Sequence, residues 1–177
     1  MESEGGPLLV APMSEVAHWG GSSGDDGPVE TWGDHGRACS VKGDVGLVDV
    51  GGQQALVLGD EPASTAYLAD ERLFLRWVAA DSEAELIEVA RRARRSGVQW
   101  DEDEDLLWNI HGPVVLFESW SSGTEIEPDN HLVIDIEPGC YRVRAASLND
   151  HRTGGVLVQL QPASGVGNDG GTPQAVS

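Results

Sequence analysis

The segment 82–96 has the one clear helical period in the sequence, and it limits the folds open to the chain. Its apolar face is formed by Leu86, Ala90 and Ala93. Ser82 and Glu85 fit a capping box at the start, and four arginines near the end complement the helix dipole. These signals predict one amphipathic helix over 82–96.

Short segments rich in β-branched and aromatic residues lie on both sides of this helix, separated by glycine and proline. The predicted strands are 7–11, 38–41, 45–50, 55–58, 72–79, 106–110, 113–119, 131–136, 140–147 and 156–161. We expect the turn at 137–139 to close a hairpin between its two flanking strands. One helix among many short strands predicts an α+β fold, a mostly antiparallel sheet with the helix packed on one face.

The chain of 177 residues has the length of one domain. We expect a single domain over 1–161, with a flexible Gly-, Ser- and Asp-rich loop at 20–28. Residues 162–177 contain few apolar groups, so burial cannot offset the entropy of ordering them, and we expect a disordered tail.

The formal charge of −19 favours a basic protein partner and opposes binding to nucleic acid or to an anionic membrane. No stretch has the length of a membrane span, and the first residues do not resemble a secretion signal. We therefore expect a cytoplasmic protein. Cys39 and Cys140 lie in strand-like contexts typical of reduced core cysteines, although one long-range bridge between them stays open.

The sequence carries no recognisable catalytic, metal or cofactor motif, so it predicts no enzyme, no metal site and no cofactor. The five histidines do not stand at zinc-type spacings, no serine occupies a GxSxG elbow, and the glycine pairs lack a phosphate-binding context. His35 is expected in a solvated loop. A catalytic role would require His35, His111 or His131 to converge with a carboxylate.

Two features are better suited to recognition, because each combines carboxylates with an aromatic anchor. They are the acidic run 101–105 between Trp100 and Trp108, and the segment Glu118-Ser119-Trp120, which ends a strand in a polar loop. The predicted partner-binding residues are Asp101, Glu102, Asp103, Glu104, Asp105, Glu118 and Trp120. The alternative is a non-catalytic module that binds a small ligand or carbohydrate in a concave pocket lined by Trp32, Trp100 and Trp120.

Several motifs, read in order, resemble the immunity protein 21 family of bacterial polymorphic toxin systems. They include Trp19-Gly20-Gly21, Arg37-Ala38-Cys39, Leu58-Gly59-Asp60-Glu61-Pro62, Leu75-Arg76-Trp77 and Gly112-Pro113-Val114. The resemblance implies a cytoplasmic antidote that binds and neutralises a cognate toxin without catalysis. The charge suggests that this toxin is basic, such as a nuclease. The positions matched as family motif positions are Gly6, Trp19, Arg37, Leu58, Gly59, Asp60, Pro62 and Trp77.

Overall fold

A computed structural model describes residues 1, 5–24, 26–59, 63–101, 106–150 and 153–163. Two α-helices, three short 3-10 helices and ten strands lie in this part of the chain. The α-helices are α1 (Gly33–Cys39) and α2 (Glu83–Ser96). The strands are β1 (Leu8–Pro12), β2 (Val45–Val50), β3 (Gln53–Leu58), β4 (Thr65–Leu68), β5 (Leu73–Ala79), β6 (Leu106–Ile110), β7 (Val114–Glu118), β8 (Leu132–Ile134), β9 (Gly139–Asp150) and β10 (Thr153–Pro162).

The strands form two antiparallel sheets of five strands each. Sheet I has the order β2-β3-β1-β7-β8, and sheet II has the order β4-β5-β10-β9-β6. Side chains on the facing surfaces of the two sheets build the central core, to which β1 contributes Leu8 and Val10 and sheet II contributes Phe74 and Trp108. The molecule is therefore a sandwich with two outer layers.

The outer face of sheet I is covered mainly by irregular backbone and the short helix α1. Leu9 and Ala11 point to this side, where Trp19 and Ala38 cover them. All five residues of β1 are buried, because this strand has a covered surface on each face. This explains why the sequence of β1 shows no alternation.

The outer face of sheet II is covered by α2. Leu86, Val89 and Ala90 pack against a cluster that includes Leu73 and Leu157. The Ser82 side chain accepts a hydrogen bond from the Glu85 N–H at 3.2 Å, as the capping box requires. The helix at 82–96 and the α+β class, with mostly antiparallel strands and one main helix on a sheet face, are both confirmed.

Two local predictions are wrong. Residues 38–41 are not a strand, since α1 continues to Cys39. The turn at 137–139 closes no hairpin, because β8 pairs with β7 in sheet I whereas β9 pairs with β6 and β10 in sheet II. Strand β4 was not predicted, and the strands divide between two sheets instead of one.

The error at α1 has a physical cause. This helix has only seven residues and contains two glycines, which lower intrinsic helix propensity. Gly36 is needed because a Cβ at that position would collide with the Val29 carbonyl oxygen. The helix is thus selected by close tertiary packing, which local periodicity does not report.

The predicted tail lies almost entirely outside the described residues, which end at 163. In the predicted flexible loop, Ser22 forms an isolated antiparallel bridge with Gly33. The boundaries of the domain, the mobility of the loop and the disorder of the tail stay predictions.

Candidate partner-binding surface

The acidic run begins at the edge of sheet II. Asp101 is exposed, and its N–H donates to the Ala145 carbonyl at 3.0 Å. Glu102, Asp103, Glu104 and Asp105 lie outside the described residues. Trp108 is fully buried and donates its Nε1–H to the Gln54 carbonyl at 2.8 Å, so it is a core residue and no surface anchor.

Glu118 and Trp120 have different environments although they are two positions apart. Glu118 closes β7 and is only 4% exposed, whereas Trp120 is 38% exposed. The strand alternation places Glu118 on the same side as Leu116, which faces the central core. Trp120 follows the strand end and is one of the few large apolar side chains at the surface of the described residues.

The backbone around Trp120 is held by a neighbouring segment. The Ser22 N–H donates to the Trp120 carbonyl at 2.9 Å, and the Ser121 N–H donates to the Glu118 carbonyl at 3.1 Å. Gly21 has φ +70°, and a Cβ there would lie 2.6 Å from the Trp120 carbonyl oxygen. Only glycine allows this close contact without strain, so the two segments are matched to each other.

Below this loop lies a buried polar cluster that joins α1 to the end of β7. His35 Nδ1 and Ser119 Oγ share a hydrogen bond of 2.9 Å, and Trp19 Nε1–H donates to the Ser119 carbonyl at 2.8 Å. The Trp32 ring stacks on His35 with an interplanar angle of 8°. Cys39 Sγ lies 3.4 Å from His35 Nε2. On the interior side, this cluster holds in place the loop that carries Trp120.

His35 and Cys39 therefore differ from their sequence-based assignments. His35 is on a helix and 8% exposed, not in a solvated loop, and burial lowers the pKa of its imidazole. Cys39 ends the same helix, not a strand. Their spacing of four residues fits one helix face, but nothing in the sequence indicates the contact with Ser119, which is 84 positions from His35.

The cluster contains a serine, a histidine and a cysteine, but its geometry does not suit catalysis. A nucleophile must reach a substrate, and Ser119 is 0% exposed. Its hydroxyl and carbonyl are both used to hold the surrounding side chains. We assign the cluster a positioning role.

The segments that meet at this loop are strongly acidic. We define the tryptophan loop surface as the exposed parts of residues 20–24, 26–36 and 119–130. The segments 20–36 and 119–130 together contain seven carboxylates and no lysine or arginine. The carboxylates are Asp25, Asp26, Glu30, Asp34, Glu125, Glu127 and Asp129, of which Asp25 lies outside the described residues.

Asp34 has a structural task within this surface. One of its carboxylate oxygens accepts from the Gly20 N–H at 2.7 Å, and the other accepts from Arg37 at 2.8 Å. Arg37 also donates to the Asp49 carbonyl at 2.7 Å. This arginine thus connects the loop to sheet I, and the remaining described carboxylates of the surface are exposed to solvent.

Most of the family motif positions that the structure describes are buried or closely packed against other residues. Trp19 and Leu58 are fully buried, and Gly59 has φ +43° at a point where a Cβ would collide with Arg76. Trp77 packs on the α2 side of sheet II, and Gly6 lies against the His35 ring. Asp60 and Pro62 lie outside the described residues.

A cavity of about 200 Å³ lies between β4, β5 and α2, where Trp77 and Leu86 are among its lining residues. Its lining does not include Trp32, Trp100 or Trp120, the three residues of the ligand-binding alternative. Within the described ranges, no group of three His, Cys, Asp or Glu side chains is placed to hold a metal ion. No helix among these residues is long and apolar enough to cross a membrane.

The fold and this surface define an acidic α+β sandwich that presents an exposed tryptophan in a segment rich in carboxylates. The model of the family Immunity protein 21 matches residues 1–153, and the chain belongs to that family. It is an immunity protein of a toxin system, a class of proteins that is generally non-catalytic. No curated protein and no solved structure gives a significant match.

Proposed function

We propose that this immunity protein neutralises its cognate toxin in the cytoplasm by binding it through the tryptophan loop surface. The observation that carries the proposal is Trp120, an exposed tryptophan on a backbone fixed by hydrogen bonds within an acidic surface. Tryptophan is enriched among the residues that dominate binding energy at protein interfaces. A fixed backbone reduces the entropy lost on binding.

The charge of the surface supports a basic toxin. Carboxylates around an anchor speed the encounter with a cationic partner and disfavour other acidic molecules. A nuclease is a natural candidate, since its substrate is a polyanion and its binding site must be basic. The immunity protein would then block the active site or displace the nucleic acid, and would itself bind neither nucleic acid nor membrane.

The predicted contact residues have different roles in this proposal. Trp120 is the anchor, and the acidic run that starts at Asp101 adds attraction for a basic partner. Glu118 is too buried to contact a partner without rearrangement. We assign it to the support of the strand end from which Trp120 projects.

The main test is Trp120→Ala, with affinity for the toxin encoded beside the gene measured by calorimetry and protection measured by co-expression. We expect a loss of about 2–4 kcal/mol, as for an interface anchor, which is roughly 30- to 1,000-fold in affinity. Val78→Ala is the matched control, because Val78 is 60% exposed but lies on β5 of sheet II. If both variants bound the toxin as tightly as the wild type, Trp120 would not be the anchor.

A second test separates the two acidic regions. One variant carries amides in place of Asp26, Glu30, Glu125, Glu127 and Asp129, and another carries amides at 101–105. We expect the first to reduce the association rate and its salt dependence more strongly than the second. Protection that persists unchanged after neutralisation of 101–105 would exclude a role for that run.

A further inference from the structure

Part of the outer layer of sheet II, at the C-terminal half of α2 and on β9, carries a local cluster of positive charge, unlike the tryptophan loop surface. We define the arginine patch as Arg91, Arg94 and Arg95 of α2 with Arg142 and Arg144 of β9. These are five of the eleven lysines and arginines in a chain with a formal charge of −19. Strand alternation places Arg142 and Arg144 on the same side as Leu148, which packs in the cluster beneath α2.

The patch already binds one carboxylate of the chain itself. Glu71 accepts from Arg91 Nε at 3.0 Å with one oxygen and from Arg94 with the other. Burial raises the pKa of Glu71, but the hydrogen bonds and charges of the two arginines outweigh burial and hold it below its usual range. Two-oxygen recognition of a carboxylate is thus built into this side of α2.

Positive charge in the patch exceeds what the helix dipole explains. The dipole favours cations in the last turn of α2, at Arg94 and Arg95, but it does not account for cations on β9. Arg144 lies over the Trp100 ring at 4.6 Å and donates to the Gln159 side chain at 2.8 Å. Burial lowers the pKa of Arg144, and repulsion from Arg142 and Arg94 lowers it further. Like charges are therefore crowded here.

A cavity of about 370 Å³ opens among these groups, lined by Arg91, Arg94 and Arg95 around the carboxylate of Glu71. We propose that the arginine patch is a second docking surface, which binds carboxylate side chains of an acidic segment of a protein partner. The hydrogen bonds to Glu71 show that these guanidinium groups can bind a carboxylate. The strongly negative remainder of the chain repels an extended polyanion, so a short acidic segment fits better than a nucleic acid.

The test uses a dye-labelled peptide of eight glutamates, titrated by fluorescence anisotropy at low ionic strength. We expect measurable binding that is lost in high salt. Arg95→Gln and Arg142→Gln should each weaken it by about threefold, as for a partly exposed charge pair. Lys42→Gln is the matched control, because it removes one positive charge from an exposed position in the segment before β2, outside the arginine patch. It should leave the affinity unchanged.

Four results would overturn the proposal. They are no binding of the peptide, an equal loss with Lys42→Gln, tighter binding of an eight-nucleotide single-stranded DNA, and binding only after residues 101–105 are neutralised. The third would assign the patch to nucleic acid, and the last would assign it to the acidic run of the chain itself. Each result is independent of Trp120, because the test contains no toxin.

Discussion

The two outer layers of the sandwich cover equivalent sheets by different means. Sheet II is covered by one amphipathic helix, α2, whose apolar face packs inward while its arginines face solvent. Sheet I is covered by short turns, by α1 and by loops joined through buried polar groups such as His35 and Ser119. A helix separates its packing face from its surface face, but an irregular loop does not. We therefore expect stability and recognition to be coupled over sheet I and separable over sheet II.

Trp19→Ala should have the largest effect, because it empties a fully buried site over sheet I and removes the donor to the Ser119 carbonyl. We expect a loss of about 3–5 kcal/mol in the free energy of unfolding. Urea denaturation measures this loss. Toxin affinity, measured where the variant is still folded, should fall as well.

Leu86→Ala is the matched change over sheet II, at a residue that is 2% exposed on α2. It should cost about 2–4 kcal/mol of stability without affecting toxin affinity. If Leu86→Ala lowered affinity as much as Trp19→Ala, the proposed difference between the layers would be wrong.

Gly21→Ala should have the next largest effect. The left-handed backbone costs a non-glycine residue about 1–2 kcal/mol, and the new Cβ would push against the Trp120 carbonyl oxygen. We expect lower stability in thermal unfolding and weaker toxin binding together. Gly52→Ala is the control, since a Cβ at Gly52 meets nothing within 4 Å. A Gly21→Ala protein with full affinity would show that Trp120 does not depend on this contact.

The free energy of unfolding should also depend on pH through the layer over sheet I, and this effect should be smaller than those of the substitutions above. Burial lowers the pKa of His35 from its ordinary value of 6.5, so the unfolded chain binds the proton more readily. The contribution of neutral His35 to stability is complete above pH 6.5 and is lost as the pH falls toward the folded-state pKa. His35→Gln should flatten urea-unfolding stability between pH 7.5 and pH 5.5, and His111→Gln, at an exposed position, should not. Parallel pH profiles for both variants would contradict this role.

Glu71→Gln should have the smallest effect, since Arg91 is 46% exposed and solvent screens its ion pair. We expect a loss of at most about 1 kcal/mol, decreasing with added salt, and unchanged toxin affinity. Asp70→Asn, at the exposed neighbouring position, is the control. A loss that did not respond to salt would indicate a packing role for Glu71.

The sequence allowed α2 to be predicted because its signals are local: a cap, an apolar period and terminal charges within fifteen residues. The pairing of strands could not be predicted, since it depends on contacts between distant residues. β1 lies between β3 and β7, so Leu8 pairs with both Leu58 and Glu118. No local pattern reports such partners.

In the candidate site, the exposed position of the anchor could be predicted from the sequence, but the burial of its neighbours could not. Trp120 was predicted as an anchor from its polar surroundings, and it is exposed. The burial of Glu118 could not be inferred, because all five residues of β7 are buried and the strand shows no alternation. The cluster of His35, Ser119 and Trp19 was missed because it forms only when α1 meets the end of β7.

The position of β10 has a consequence for the synthesis of the protein. This strand pairs with β5 on one side and β9 on the other, yet it is the last of the ten strands to be made. Until residue 162 has left the ribosome, β5 and β9 expose unpaired backbone groups, and the central core lacks Val158 and Leu160. A nascent chain that stalls before this strand therefore presents two open strand edges that can pair with other chains, so completion of β10 is also a safeguard against aggregation.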